Sequence, residues 1–248
     1  MAKSTMRIDD LVTQLSQVHG AALRAVVLYG SAASDEQVAG HSDLNVLEIV
    51  DSLSLPTLQR LAQTTRAWQE SGNPPPLTLT TVEWTRSADI FPMEYSDILE
   101  RHKVLHGELP MDGIVVQLSD LRLQTENEAM GKLLRLRRGV MAAGTDAKRQ
   151  AELLRASWSA LLVIFRAVSR LHAVPPPRDA VQVVRTVAQR CGFDPASYET
   201  VWALIHGTPL PERETESVLA GYVQGMESLV AYLDRFVPPA TASDSLSS

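Results

Sequence analysis

Two short clusters hold the chemistry this sequence offers. Gly30-Ser31 ends one apolar run, and Ser42-Asp43-Leu44-Asn45 opens the next. Gly30 has no side chain, so the backbone N–H groups beside it approach an anion closely. Ser31 adds a hydroxyl donor, and a helix starting there would add a dipole that favours phosphate. Asp43 and Asn45 lie two residues apart, which on a strand points both to one side. Leu47 and Ile49 continue that side inward, and Leu44, Val46 and Val50 take the other. A phosphate cradle beside two oxygen-bearing side chains is half of a magnesium site. Asn45 is the discordant member, because its amide oxygen is neutral where magnesium favours anionic oxygen.

These clusters need a sheet to hold them. Residues 25–30 and 43–50 both read as strands, compact and rich in Val, Leu and Ile. Residues 7–19 carry Ile8, Leu11, Val12 and Leu15 at helical spacing. A second helical period runs up to Gly72. Asn73-Pro74-Pro75-Pro76 then forces extended backbone into residues 77–84, a third strand rich in β-branched residues. Residues 89–108 hold a further helix and a short strand or turn.

Past residue 115 the texture changes to long helical periods. Ser119 heads one that runs to Gly144, and Asp146 heads one over residues 147–173. Its apolar stripe is Leu153, Leu154, Trp158, Leu161, Leu162 and Phe165. Residues 178–191, 194–207 and 212–237 complete the set. The expected architecture is α+β: a mixed sheet with helices over residues 1–114, a helical bundle over 115–238, and a polar, disordered tail over 239–248. The cleft between the two domains is the expected ligand site.

Composition bounds the partners. With 45% of its 248 residues hydrophobic, the chain has enough apolar material for a substantial core. A net charge of −6 argues against a whole-molecule grip on nucleic acid. The single Cys191 excludes an intramolecular disulfide and a cysteine metal site. No apolar run approaches the roughly 20 residues that span a bilayer, and residues 1–15 show no signal-peptide hydrophobic region. The expectation is a cytoplasmic protein without a membrane partner.

The stretch from Leu28 to Val46, with Gly30-Ser31 and the Asp43-Leu44-Asn45 triplet set between two strands, resembles the signature of the nucleotidyltransferase superfamily with a polymerase-β-like fold. The subgroup it is most similar to is that of the bacterial aminoglycoside adenylyltransferases and minimal nucleotidyltransferases. These pair such a domain with a C-terminal helical bundle. The resemblance implies nucleoside triphosphate and magnesium as cofactors. Gly30 and Ser31 would hold the phosphates, and Asp43 and Asn45 would stand at the metal-binding and catalytic positions. In the family, two acids of the triplet and a third from a later strand hold two metal ions. Here Asn45 replaces the second acid. The third falls on Thr78 or Thr80, and Glu83, Glu94 and Asp97 are the candidates to compensate. The resemblance therefore implies a nucleotide or phosphate ligand with weak or lost transfer, a pseudoenzyme. The alternative is an active magnesium-dependent transferase acting on a small-molecule or protein hydroxyl.

The remaining features have plainer readings. Lys132, Arg135, Arg137 and Arg138 form a basic run that reads as a solvated face pairing with Glu126 and Glu128, the other use being a clamp on triphosphate. Arg166 and His172, six apart, resemble the Arg–His motif of HEPN ribonucleases, a third reading of the bundle. Cys191 reads as a packing residue, His41 as a surface residue, and Glu48 as a solvent-facing residue near a strand end.

Overall fold

The computed structural model describes residues 6–33 and 44–238. The chain divides into two compact units, Met1–Gln117 and Leu118–Ser248. Asp43 and His41 lie outside the described residues, as does the tail over 239–248.

Among the described residues the first unit is built on four strands: β1 (Leu23–Tyr29), β2 (Asn45–Val50), β3 (Leu77–Thr80) and β4 (His102–Gly107), in the order β3-β2-β1-β4. β1 pairs antiparallel with β2 and β4, and β2 pairs parallel with β3. β1 and β2 are apolar almost throughout because both faces of the sheet are covered. On one face lie α1 (Ile8–His19) and α2 (Leu55–Glu70), whose Leu11, Leu15, Leu61 and Trp68 pack against Val26, Leu28, Val46 and Val50. On the other lie α3 (Thr81–Arg86) and α4 (Pro92–Glu100), whose Trp84, Tyr95 and Ile98 pack against Ala25, Val27, Leu47 and Ile49. Trp84 and Tyr95 stack at 4.3 Å, and the Tyr95 hydroxyl donates to the Trp84 carbonyl at 2.6 Å.

Two sequence expectations fail here, each for a local reason. The third strand was expected over residues 77–84 but stops at Thr80. The Thr80 hydroxyl accepts from the Glu83 N–H at 3.2 Å, and the Glu83 carboxylate accepts from the Thr80 N–H at 2.7 Å. That reciprocal cap starts a helix, and it overrides the β-branched run. Glu48 was expected to face solvent, yet it is only 1% exposed. It sits between Val46 and Val50 on the α1 face. There it accepts from the Thr78 hydroxyl at 2.5 Å and lies 3.5 Å from His19 Nε2. Covering the second face of the sheet turned an apparent outward position into an inward one.

Among the described residues the second unit contains five helices: α5 (Leu118–Ala143), α6 (Ala147–Leu171), α7 (Ala180–Cys191), α8 (Ala196–Ile205) and α9 (Glu212–Arg235). The Asp146 carboxylate accepts from the N–H groups of Lys148 and Arg149 at 3.0 and 3.1 Å, and Asp179 accepts from Gln182 at 2.8 Å. These side chains satisfy donors that each helix start leaves open. Leu154, Trp158, Leu161 and Phe165 are buried along α6. Tyr198 and Tyr222 stack at 4.4 Å, and the Tyr198 hydroxyl donates to the Tyr222 carbonyl at 2.8 Å. Among the described residues no helix is long and apolar enough to cross a membrane.

Candidate active site

The candidate site begins where β1 and β2 meet at their open end. Tyr29 closes β1 opposite Asn45, the first residue of β2. Gly30 then turns the chain with φ +77° into a single 3-10 turn, Gly30–Ala33, which also contains Ser31. A β-carbon at Gly30 would lie 3.4 Å from the Asn45 amide nitrogen, in a backbone conformation that L side chains rarely adopt. Glycine is thus favoured by the turn's positive φ, while the Asn45 amide would stand at ordinary contact distance from a β-carbon there. One residue earlier, the Leu44 N–H donates to the Asn73 side-chain carbonyl at 3.0 Å. Asn73 pins the start of β2 and was not singled out in the sequence. Its only signal is an Asn placed just before the Pro-Pro-Pro run.

Strand parity decides which groups share the site. Asn45 lies on the face of Leu47 and Ile49, the face covered by α3 and α4. In the parallel register Leu77 pairs with Leu47 and Leu79 with Ile49, while Thr78 pairs with Glu48 and Thr80 with Val50. Thr78 reaches Glu48 on the far face. The β3 positions that share the Asn45 face are therefore Leu77 and Leu79, both apolar, and β3 supplies no carboxylate to that face.

The three compensating candidates separate cleanly. Glu83 is on α3, next to the end of β3 that pairs with Val50, five residues along β2 from Asn45. Its carboxyl is held below its ordinary range by the Thr80 backbone and hydroxyl donors. It serves as a helix cap and is not brought to the site. Glu94 and Asp97 come within electrostatic range of Tyr29. Both are half-buried on α4, and their charges reach Tyr29, the strand partner of Asn45. Burial first, and then these two carboxylates, push the Tyr29 phenol up to about 12. Asp97 also pairs with Arg101 at 3.5 Å.

The described groups at this end are one neutral amide and one phenol, with two carboxylates of α4 in electrostatic range of the phenol. Among the described residues no group of three or more His, Cys, Asp or Glu is placed to hold a metal ion. The described residues alone do not fit a two-metal centre.

The other predicted groups lie in the second unit. Lys132 pairs with Glu128 at 3.3 Å, Arg122 with Glu126 at 3.0 Å and Arg137 with Glu227 at 2.7 Å. These are the exposed and half-exposed pairs of a solvated face. Arg166 is buried, and His172 Nε2 lies 2.7 Å from the Tyr232 hydroxyl. Burial first, and then the nearby charge of Arg190, lower the His172 imidazole from its ordinary value. The Arg190 guanidinium keeps one buried nitrogen without a hydrogen-bond partner among the described residues, a group suited to an anion. Burial pushes the Cys191 thiol up to about 12, which fits a packing residue and not a nucleophile.

No family model matches the chain, and no curated protein matches it. A solved structure does match: spectinomycin adenyltransferase AAD(9) of Enterococcus faecialis, determined with ATP and spectinomycin. The TM-score is 0.59 at 11% identity, over 92% of this chain and 98% of that one.

Proposed function

We propose that this chain, whose α+β fold is that of a nucleotidyltransferase, binds a nucleoside triphosphate or related phosphate ligand at the Gly30 end of β1 and β2, with weak or no nucleotidyl transfer. The observation that carries this is the chemistry of the Asn45 face, where an amide stands at the start of β2 and Leu77 and Leu79 stand on β3. The Gly30–Ala33 turn offers backbone N–H groups to an anion. Asp43 would be the surviving metal-binding position beside Asn45, and Ser31 would add its hydroxyl to the phosphate cradle. Magnesium would enter with the triphosphate, as a partner of its oxygens. The solved neighbour holds ATP and spectinomycin, which supports a small-molecule second ligand for this chain as well.

Calorimetric titration with ATP and the other triphosphates, with and without magnesium, tests the reading. Saturable binding without release of pyrophosphate is expected. Asn45→Asp adds one anionic ligand and should tighten magnesium-dependent binding by about tenfold, the equivalent of about 1.4 kcal/mol. Absence of binding for every triphosphate would overturn the proposal.

One observation favours a second reading, an active transferase. Glu94 and Asp97 lie close enough to charge the surroundings of Tyr29, so α4 could supply the acid that β3 lacks. Pyrophosphate release that disappears in both Asp43→Ala and Glu94→Gln would establish that reading over the first.

A further inference from the structure

The outer side of α5 carries an apolar seam that stays exposed among the described residues. Leu123 is 65% exposed, Met130 43%, Leu134 45% and Met141 75%. At 100° per residue these four side chains fall within about 40° of one another on the helix circumference. The bundle-facing side of the same helix is made by Leu121, Thr125, Ala129, Leu133, Leu136 and Ala143, all buried. The seam is therefore not core that has slipped outward. It is a second, separate apolar line on one helix.

Its spacing identifies the partner. The intervals from Leu123 to Met130, to Leu134 and to Met141 are seven, four and seven residues. That series reads the same in both directions about a midpoint level with Lys132. An isologous contact requires a surface complementary to its own image under a two-fold rotation. A reversible series of knobs on a helix meets that requirement with the helices antiparallel.

We propose that the outer face of α5 is a docking surface for a second copy of this chain, with the two α5 helices antiparallel about a two-fold axis level with Lys132. Leu123 then stands opposite Met141 of the second copy, and Met130 opposite Leu134. Asn127 and Arg137, the latter also paired with Glu227 of its own chain, are both exposed and both five residues from the midpoint, and fall opposite each other. They make a polar layer between the apolar ones, of the kind that fixes register in helix pairs. Gly131 lies beside the seam next to the axis. A β-carbon built on Gly131 meets nothing within 4 Å. Glycine inside a helix costs roughly 1 kcal/mol against alanine, no described residue fills the space it leaves, and that flank of the seam is open to a second helix.

The size of the contact sets its strength. From Leu123 to Met141 the seam runs about 27 Å at 1.5 Å per residue. A single helix pair of that length belongs at the low end of specific interfaces, about 1,200 Å² in total. A reversible, concentration-dependent dimer is expected.

Sedimentation equilibrium of the full chain over a concentration series tests this, with far-ultraviolet circular dichroism to confirm folding. The wild type should pass from monomer to dimer. Leu134→Glu should remain monomeric with unchanged helicity, because position 134 is exposed in the monomer. Register is tested separately by Met130→Cys combined with Leu134→Cys, which should give an inter-chain disulfide under mild oxidant. Met130→Cys alone should cross-link much less, since its own image lies about a turn away. The thiol of the native Cys191, half-buried and with a raised pKa, does not compete. A chain that stays monomeric up to about 1 mM overturns the proposal and leaves the seam to a different macromolecule. A dimer unaffected by Leu134→Glu overturns it as well.

Discussion

Glu48 ties β2 to both α1 and β3 through one buried side chain. Its carboxylate is buried beside His19 and is reached by the Thr78 hydroxyl. Burial raises the Glu48 pKa above its ordinary value, while Thr78 and then His19 act against the rise. A carboxyl raised by folding binds its proton more tightly in the native state than in the unfolded one. Its stabilising contribution is therefore present below the ordinary carboxylate value and is lost as pH rises through the raised value. Asp51, held low by Arg24, acts with the opposite sign: its contribution is present above the ordinary range and is lost on acidification. Glu48→Gln should retain an acceptor for Thr78 and remove the titration. The urea midpoint of the first unit should fall as pH rises above the ordinary carboxylate range in the wild type and change less in the variant. Parallel pH profiles for the two proteins would refute this assignment. Glu48→Leu removes an acceptor from buried donors, and a loss of about 1–3 kcal/mol is expected.

At the scale of elements, β4 depends on a close approach. Gly107 has φ +67°, and a β-carbon there would lie 1.9 Å from the Arg24 carbonyl oxygen on β1. The contact is backbone to backbone, so no side chain can swing aside. Gly107→Ala should cost at least about 2 kcal/mol, through strain and the displaced β1–β4 pairing. A change in thermal midpoint within experimental error would contradict it. The same scale shows what the sequence made legible. The apolar runs of β1 and β2, and the cap at Asp146, carry their own local signals, and the structure places them as expected, whereas the cap at Asp179 was not foreseen. The face on which Thr78 lies does not. It depends on the parallel register between β2 and β3, set by residues thirty apart in sequence, and a slip of one residue would exchange Thr78 for Leu77 or Leu79. The corner formed by Tyr29, Asn45, Glu94 and Asp97 was legible only in part. Asn45 stood out by its place in a motif, whereas α4 reaches Tyr29 through tertiary packing alone.

At the scale of the molecule, each compact unit has its own apolar centre. Trp68 and Trp84 anchor the two sides of the sheet, and Phe165, Tyr198 and Tyr222 anchor the bundle. Chains with two such centres commonly depart from two-state unfolding. Denaturant unfolding monitored at two wavelengths should give non-coincident transitions. A triphosphate that binds at the Gly30 turn should raise the transition of the first unit by mass action and leave the bundle's nearly unchanged. Coincident transitions that move together with ligand would show a single cooperative block instead.

The borders of the sheet carry one more consequence. β3 has only four residues, and β4, the opposite border, carries Lys103 and a register irregularity where it meets β1 between Val26 and Val27. Short borders, an outward ammonium group and a bulge each discourage a stray strand from adding on. Fibril seeding through this sheet is thereby disfavoured, and a concentrated solution of the native chain should not nucleate thioflavin-positive material.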